Sequence, residues 1–503
     1  MTENTNRTVD QIKSTSDAVE KAEARATELK NEILDHLEEN NRLYVLSAAP
    51  GSGKSYLLLS VTSELIARGN RVIISTNTNN QANNLVESWN KHPERFGPQS
   101  DFYRAASKSA VRPEKIPASQ WLGSLMSLPT GPLAVVSTSS KIAFDLTFSK
   151  EPLVTDYLII EEAYQCTWSK FMQLSPLSSR ILLIGDRGQI PPVVTVEPKR
   201  WETARFAPHW SAPETLTFNS DASGDQLGGR FKMNKLETSW RIPEESLAVV
   251  QPFYEDDGVQ LDPVASTGER GLVFEEPGQA SPISDAIAKA SSGVPVLITI
   301  PSVADKVPER GDSTLAEAVA DLVRELFLLK TTSQEVHLYA PFESDTKPLK
   351  LNDLKILATK REMLAILEHA LQPVWQEIVR QNPDARSDDL DEPNGGLFID
   401  TPERAQGLDC KVTIVVHPLS GVRSPGEFDL ETGRLSVMVS RHKCALFVVA
   451  RSTVGVALQN NLPSATQAPN RPDVVGLGHR QHTNFWNWFG QNGQSVELAL
   501  HTK

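Results

Sequence analysis

Apolar residues along this chain recur with two different periods. Over 12–37, Ile12, Val19, Ala22, Ala26, Leu29, Ile33 and Leu37 fall mostly three or four positions apart, which predicts an amphipathic helix. Its first reading is a helix packed on the neighbouring domain; its second is a partner-binding helix. From 42 onward, short solid apolar runs alternate with helical spacings. The runs at Leu43–Ser47, Val72–Ser75, Leu133–Ser137, Tyr157–Ile160 and Ile181–Ile184 predict strands of a parallel sheet covered by helices. Two stretches, 90–130 and 195–235, break the alternation and read as insertions. The second half repeats the pattern at Val296–Ile300, Val336–Tyr339, Leu354–Leu357, Leu397–Ile399, Val412–Val416 and Leu446–Val449. Asn382–Gly395 reads as an acidic loop, and 460–480 as an irregular connector.

The expected class is therefore α/β, with two parallel-sheet domains in tandem. The expected division is an N-terminal amphipathic helix over 1–40, a first domain over 41–235, a second over 236–460 and a C-terminal tail over 461–503. At 503 residues the chain is too long for one ordinary core. Three cysteines, Cys166, Cys410 and Cys444, lie far apart without CxxC spacing, which argues against a zinc module or a disulfide framework. No apolar run reaches membrane-spanning length and the N-terminus lacks a signal-like stretch, so the expected location is the cytoplasm, with no membrane partner. A net charge of −13 means that any contact with nucleic acid must concentrate positive charge locally.

The strongest chemistry lies at Ala48–Ser55, which reads Ala-Ala-Pro-Gly-Ser-Gly-Lys-Ser between a strand and a helix. Backbone N–H groups of Gly51, Ser52 and Gly53 and the positive helix end suit phosphates; Lys54 adds a point charge, and the Ser55 hydroxyl suits Mg²⁺. Pro50 itself brings only its carbonyl and a fixed turn. The usual first glycine of such a loop is Ala48 here. About a hundred residues later, the apolar run from Tyr157 ends in Glu161 and Glu162. Glu161 is expected to hold the metal and Glu162 to act as general base. Another apolar run leads into Gly185-Asp-Arg-Gly-Gln-Ile-Pro-Pro192, where Gln189 can contact the terminal phosphate or the attacking water.

These segments, in this order, resemble superfamily 1 helicases, specifically the 5′→3′ branch that contains the nonsense-mediated-decay RNA helicase. Further similarity lies in Leu236-Glu-Thr-Ser-Trp-Arg-Ile-Pro243, Leu354-Lys-Ile-Leu-Ala-Thr-Lys-Arg361, Thr401-Pro-Glu-Arg-Ala-Gln-Gly407 and Arg434-Leu-Ser-Val-Met-Val-Ser-Arg441. The resemblance implies two RecA-like domains with ATP and Mg²⁺ between them. It implies catalytic roles for Arg241 and Arg441, reaching across the cleft, beside Lys54, Glu162 and Gln189. Trp240 is then expected to stack on adenine, and Gly407 to line the nucleotide. Thr76, Asn77, Thr138, Thr359 and Thr401 are expected to meet the sugar–phosphate backbone of single-stranded DNA or RNA. Lys199, Arg200, Arg205, Arg230, Lys232 and Lys235 read as a nucleic-acid contact or as a solvated face. A protein partner is expected through the N-terminal helix or the C-terminal tail.

The sequence departs from the family pattern in three places: Glu161 replaces the usual aspartate, Trp240 the usual tyrosine, and His442 a small residue. The expected activity is nucleic-acid-dependent ATP hydrolysis driving movement along a strand. The alternatives are an ATP-gated clamp with little hydrolysis, and a P-loop kinase or GTPase, which would leave the second half without a role.

Overall fold

The computed structural model describes residues 9–149, 153–194, 199–201, 204–223, 229–301, 311–336, 338, 344–387, 392–463 and 473–499. Two wholly parallel sheets organise it. The first holds β1 (Arg42–Ala48), β2 (Arg71–Thr76), β3 (Phe102–Ala105), β4 (Trp121–Leu122), β5 (Leu133–Thr138), β6 (Tyr157–Glu161), β7 (Arg180–Gly185) and β8 (Phe231–Leu236). Their order is β4-β3-β5-β2-β6-β7-β1-β8. Neighbouring residues point to opposite faces and both faces are covered: Tyr44 and Leu46 enter one core while Val45 enters another. That is why these strands read as unbroken apolar runs.

The second sheet runs Phe398–Asp400, Leu354–Leu357, Cys410–Val416, His442–Arg451, Val296–Ile300 and Ser495–Glu497 in spatial order, again all parallel. Val296, Ile298 and Ile300 fill one of its cores and Leu297 the other. The α/β expectation of two parallel sheets therefore holds.

Several expectations need correction. The two stretches read as insertions extend the first sheet instead, 90–130 through β3 and β4 and 195–235 through β8. Their polarity hid them: β3 carries the buried Arg104, whose guanidinium is held by Asn83 Oδ1 at 3.0 Å and Asn79 Oδ1 at 2.6 Å. Of the run expected as a strand at Val336–Tyr339, Val336 ends the strand Thr332–Val336, which pairs antiparallel with Arg270–Val273 and Ser344–Pro348 in a separate small sheet. Residues 337, 339 and 340 lie outside the described residues. The connector expected over 460–480 is helical from Val474, with 464–472 outside the described residues. Beyond 473 the chain is no loose tail: the helix Val474–Gln491 buries Phe485 and Phe489 in the second core, and Ser495–Glu497 edges the second sheet.

Helix α1 (Val9–His36) places Leu29, Ile33 and Leu34 in the first core, joined by Leu37 just beyond its end. Nearer its start, Val19 and Ala22 pack on Val264 and Trp240, and Lys21 Nζ meets Asp262 at 2.8 Å. Its apolar face is thus covered within the chain. No helix among the described residues is long and apolar enough to cross a membrane.

Candidate nucleotide site and cleft

β7 lies between β1 and β6, so the loop after β1 and the carboxylates ending β6 open on one sheet edge. Gly51 and Gly53 take left-handed backbone, at φ 72° and 80°. Helix α2 (Lys54–Ala67) starts directly after Gly53, so its first N–H groups face the loop's hollow. Lys54 Nζ meets Glu162 Oε1 at 2.5 Å, and Ser55 Oγ donates to Glu161 Oε1 at 3.2 Å. Glu162 sits at φ 51°, ψ 46°, a left-handed conformation that disfavours a side chain by about 1–2 kcal/mol. That turn follows directly on β6 and accompanies the contact between Glu162 and Lys54.

Burial, reinforced by the charge of Glu162, pushes the Glu161 carboxyl up to about 7, against the pull of Lys54 and Ser55. Glu161 Oε2 is buried with no hydrogen-bond partner. Next to it, burial raises Asp186 to about 6; Asp186 accepts from Gln189 Nε2 at 2.6 Å and from Gly188 N at 3.0 Å.

Across a cleft of about 460 Å³ stand Arg241, Lys355, Gly407, Asp409 and Arg441. This volume lies within the roughly 300–1,000 Å³ of small-molecule sites. Arg441 is 1% exposed and held by backbone: Nε donates to Val437 O at 3.0 Å and Nη1 to Leu408 O at 3.4 Å. Arg241 differs. Its guanidinium makes no hydrogen bond or ion pair among the described residues, and Nε is fully buried. Burial, with the charge of Arg441, lowers it to about 9.

Arg241 was expected to reach across from the second domain; its segment is tied to both sides, with Ile242 in the second sheet's core, Arg270 donating to Trp240 O and Arg241 O, and further bonds to the phosphate loop. Ser239 Oγ donates to Pro50 O at 2.8 Å and Trp240 N to Gly51 O at 2.8 Å. A Cβ on Gly51 would lie 2.5 Å from Arg241 Cβ, so only glycine permits this approach. The half-buried ring of Trp240 lies 3.6 Å from where a Gly53 Cβ would stand and packs against Val19 and Ala22 of α1.

A chain of side-chain hydrogen bonds then crosses between the sheets. Asn77 Nδ2 donates to Gln165 Oε1 at 3.0 Å, Gln165 Nε2 to Gln406 Oε1, and Gln406 Nε2 to Gln189 Oε1 at 2.8 Å. Gln189 continues to Asp186, which accepts from Tyr254 Oη at 3.2 Å. Sequence reasoning quoted Gln406, Lys355 and Asp186 inside motifs without a role, and gave none to Gln165 or Asp409. An apolar strand with a single lysine gave the only available signal for Lys355.

The residues expected to meet a polynucleotide are distributed differently. Thr76 and Thr138 end the paired strands β2 and β5. Thr76 is buried, with Oγ1 bonded to Thr78 O at 3.1 Å, and Thr138 Oγ1 caps the helix Ser139–Phe148 by accepting from Lys141 N. Asn77 faces Glu162 O and Gln165. Thr359 lines a water-sized pocket of about 20 Å³ with Asp312 and His417, and Thr401 precedes a short helix without capping it by its side chain. Thr359 and Thr401 follow the C-terminal ends of their strands, the opposite end from Arg441. In the basic segment, Lys232 pairs with Glu32 at 3.0 Å, Lys235 Nζ donates to Asp257 O and Gly258 O, and Arg205 bonds Asn219. The Lys199 side chain lies outside the described residues.

The donor set fits the groups that the sequence implies. An orphaned carboxylate oxygen on Glu161 beside the Ser55 hydroxyl suits a hard divalent cation. An orphaned, buried guanidinium suits phosphate oxygens.

Residues 31–195 match the family model described as an AAA domain. A curated relative, the DNA replication ATP-dependent helicase/nuclease DNA2 of Saccharomyces cerevisiae, is 23% identical over 171 residues; the match spans 33% of this chain and 11% of that protein. Among solved structures, the PRRSV helicase is similar at 13% identity and TM-score 0.35, covering 83% of this chain and 54% of that one. An arterivirus nonstructural protein 10 helicase in complex with DNA is similar at 12% identity and TM-score 0.37, covering 83% and 63%. The chain thus spans a small part of its curated relative. These likenesses do not single out the nonsense-mediated-decay branch.

Proposed function

We propose that this chain is a nucleic-acid-dependent ATPase of superfamily 1 helicase type, which hydrolyses ATP in the cleft and moves on single-stranded DNA or RNA. The observation that carries this reading is the unpartnered, buried Arg241, which shares one cleft with Lys54, Glu162 and Arg441. A buried guanidinium without an anion is costly, and a triphosphate would relieve it.

In this reading the phosphate loop cradles the inner phosphates. Lys54 leaves Glu162 for the phosphates, and Glu162 Oε1 is freed to take the proton of an attacking water. Ser55 and Glu161 hold Mg²⁺, which when bound neutralises charge on the phosphate oxygens. Arg241 and Arg441 stabilise the charge that builds up during transfer. The hydrogen-bonded series from Asn77 to Gln189 ties the strand-facing edge to the nucleotide, so binding at one side biases the other. Likeness to an AAA domain and to a helicase/nuclease supports the same reading.

Phosphate release measured with and without single-stranded DNA and RNA tests it, together with strand displacement on 5′- and 3′-tailed duplexes. Stimulated turnover with unwinding is expected. Tight ATP-dependent strand binding with negligible turnover would replace the motor with a clamp. Turnover indifferent to Arg441→Ala would point to an unrelated P-loop enzyme.

A further inference from the structure

The second sheet contributes a cation that the reading above does not use. Lys355 is the second residue of its strand, only 8% exposed, and lines the same cleft as Lys54, Arg241 and Arg441. No carboxylate among the described residues lies within ion-pair distance of its ammonium. The ring of Phe398 lies 4.7 Å from its Nζ on the neighbouring strand. Asp409, an acid of the same cleft whose charge Lys355 also feels, is ion-paired with Lys443 at 2.7 Å. An ammonium is strongly hydrated, and an aromatic face replaces only part of that hydration, about 2 kcal/mol when desolvated.

Lys54 is ion-paired with Glu162, whereas among the described residues no ion pair holds Arg241, Arg441 or Lys355, and Asp409 is shared with Lys443. The phosphate loop can enclose only the phosphates nearest to it. Cations on the opposite wall meet whatever projects beyond Lys54.

We propose that Lys355 is a further nucleotide-binding residue that recognises the terminal phosphate of a bound nucleoside triphosphate from the second sheet. The proposal rests on the nucleotide reading of the cleft. Lys355 reports the presence of the outermost phosphate, with Phe398 holding its stem in place while the cleft is empty. Loss of that phosphate leaves the ammonium unpaired again, which favours separation of the second sheet from the product.

The test compares Lys355→Ala, Lys355→Met and Lys355→Arg in the full chain, titrated with Mg²⁺ and either ADP or a non-hydrolysable ATP analogue. Alanine and methionine are expected to weaken the triphosphate analogue about tenfold and ADP less than twofold, with arginine recovering most of the loss. Methionine keeps the apolar length on Phe398, so a defect from packing alone would leave that variant like the parent and overturn the proposal. Equal losses for both nucleotides, or none, would also overturn it. If the parent protein itself binds neither nucleotide and Lys54→Ala changes nothing, the nucleotide reading has failed instead.

Discussion

The two parallel sheets face one cleft with opposite ends. The first offers the C-terminal ends of its strands: the phosphate loop after β1, Glu161 and Glu162 at the end of β6, and Gln189 beyond β7. The second offers strand beginnings: Lys355, Asp409 and Arg441 stand at or just before the first residues of Leu354–Leu357, Cys410–Val416 and His442–Arg451. On the first edge Lys54 is paired with Glu162 and Ser55 donates to Glu161; on the second, Asp409 is paired with Lys443, which leaves Lys355 and Arg441 without an ion pair among the described residues. The proposed motor would use this difference: one side holds its groups ordered at rest, and the other has reason to close when an anion arrives.

The two arginines sharpen the contrast. Arg441 is fixed by carbonyls of its own side, whereas the segment carrying Arg241 is bonded through Ser239 and Trp240 to Pro50 and Gly51 and through Arg270 to the second side. If the cleft opens with this segment staying on the phosphate loop, Arg441 withdraws and Arg241 remains. Arg441→Ala is expected to lower single-turnover hydrolysis by about 10³-fold or more with ADP affinity nearly unchanged, as for an arginine delivered across an interface. Arg241→Ala should weaken ADP as well as ATP; identical nucleotide profiles for the two variants would erase the distinction. Glu162→Gln is expected to cut turnover by about 10²–10⁴-fold while ATP still binds, since Lys54 is freed rather than lost. Rapid-quench phosphate release with parallel binding titrations reads both.

The hydrogen-bonded series between the sheets makes a smaller prediction. Gln165→Ala and Gln406→Ala should be non-additive in strand-stimulated turnover by about 1 kcal/mol, because each breaks the same connection. Strict additivity in the double-mutant cycle would mean two independent contacts.

Two sets of buried groups respond to pH with opposite sign. On the first side, Glu161 and Asp186 hold protons more tightly in the fold, at about 7 and about 6 against ordinary values of 4.5 and 3.8. Without nucleotide, that part of the stability is present below the ordinary values and is lost as pH rises through the folded ones. On the second side, burial holds His417 well below its ordinary 6.5, and His442 and His482 at about 3. Their neutral forms contribute stability above 6.5 that is lost as pH falls towards the folded values. From about pH 4 to 6.5 the two contributions oppose each other; melting temperature should fall between about pH 6.5 and 7, where only the loss at Glu161 remains, and Glu161→Gln should remove that fall.

The smallest effect concerns Thr138. Its hydroxyl caps a helix, so Thr138→Ala is expected to lower stability by about 1 kcal/mol and to change strand affinity less than twofold. A large affinity loss at unchanged stability would return Thr138 to the polynucleotide.

Much of the fold was legible because both sheets are buried on both faces, which forces their strands into solid apolar runs. Leu43–Ser47 and Val412–Val416 could hardly be anything else. The strands that escaped notice are those whose polar groups are satisfied only in three dimensions. Arg104 in β3 needs Asn79 and Asn83, and β8 needs α1 to pair with its Lys232.

The same boundary runs through the site. Sequence by itself determined the phosphate loop and the paired carboxylates, because close spacing along the chain fixes which atoms meet. It also named Arg241 and Arg441 as residues to watch. Only tertiary structure decided that Arg241 comes up against Gly51, that the Trp240 ring lies between Gly53 and α1, and that Lys355 and Asp409 enter the cleft. Those facts depend on which strand ends are brought together and how closely backbones approach. No local pattern encodes a meeting of residues separated by hundreds of positions, because the burial that drives it carries no direction until the sheets have packed.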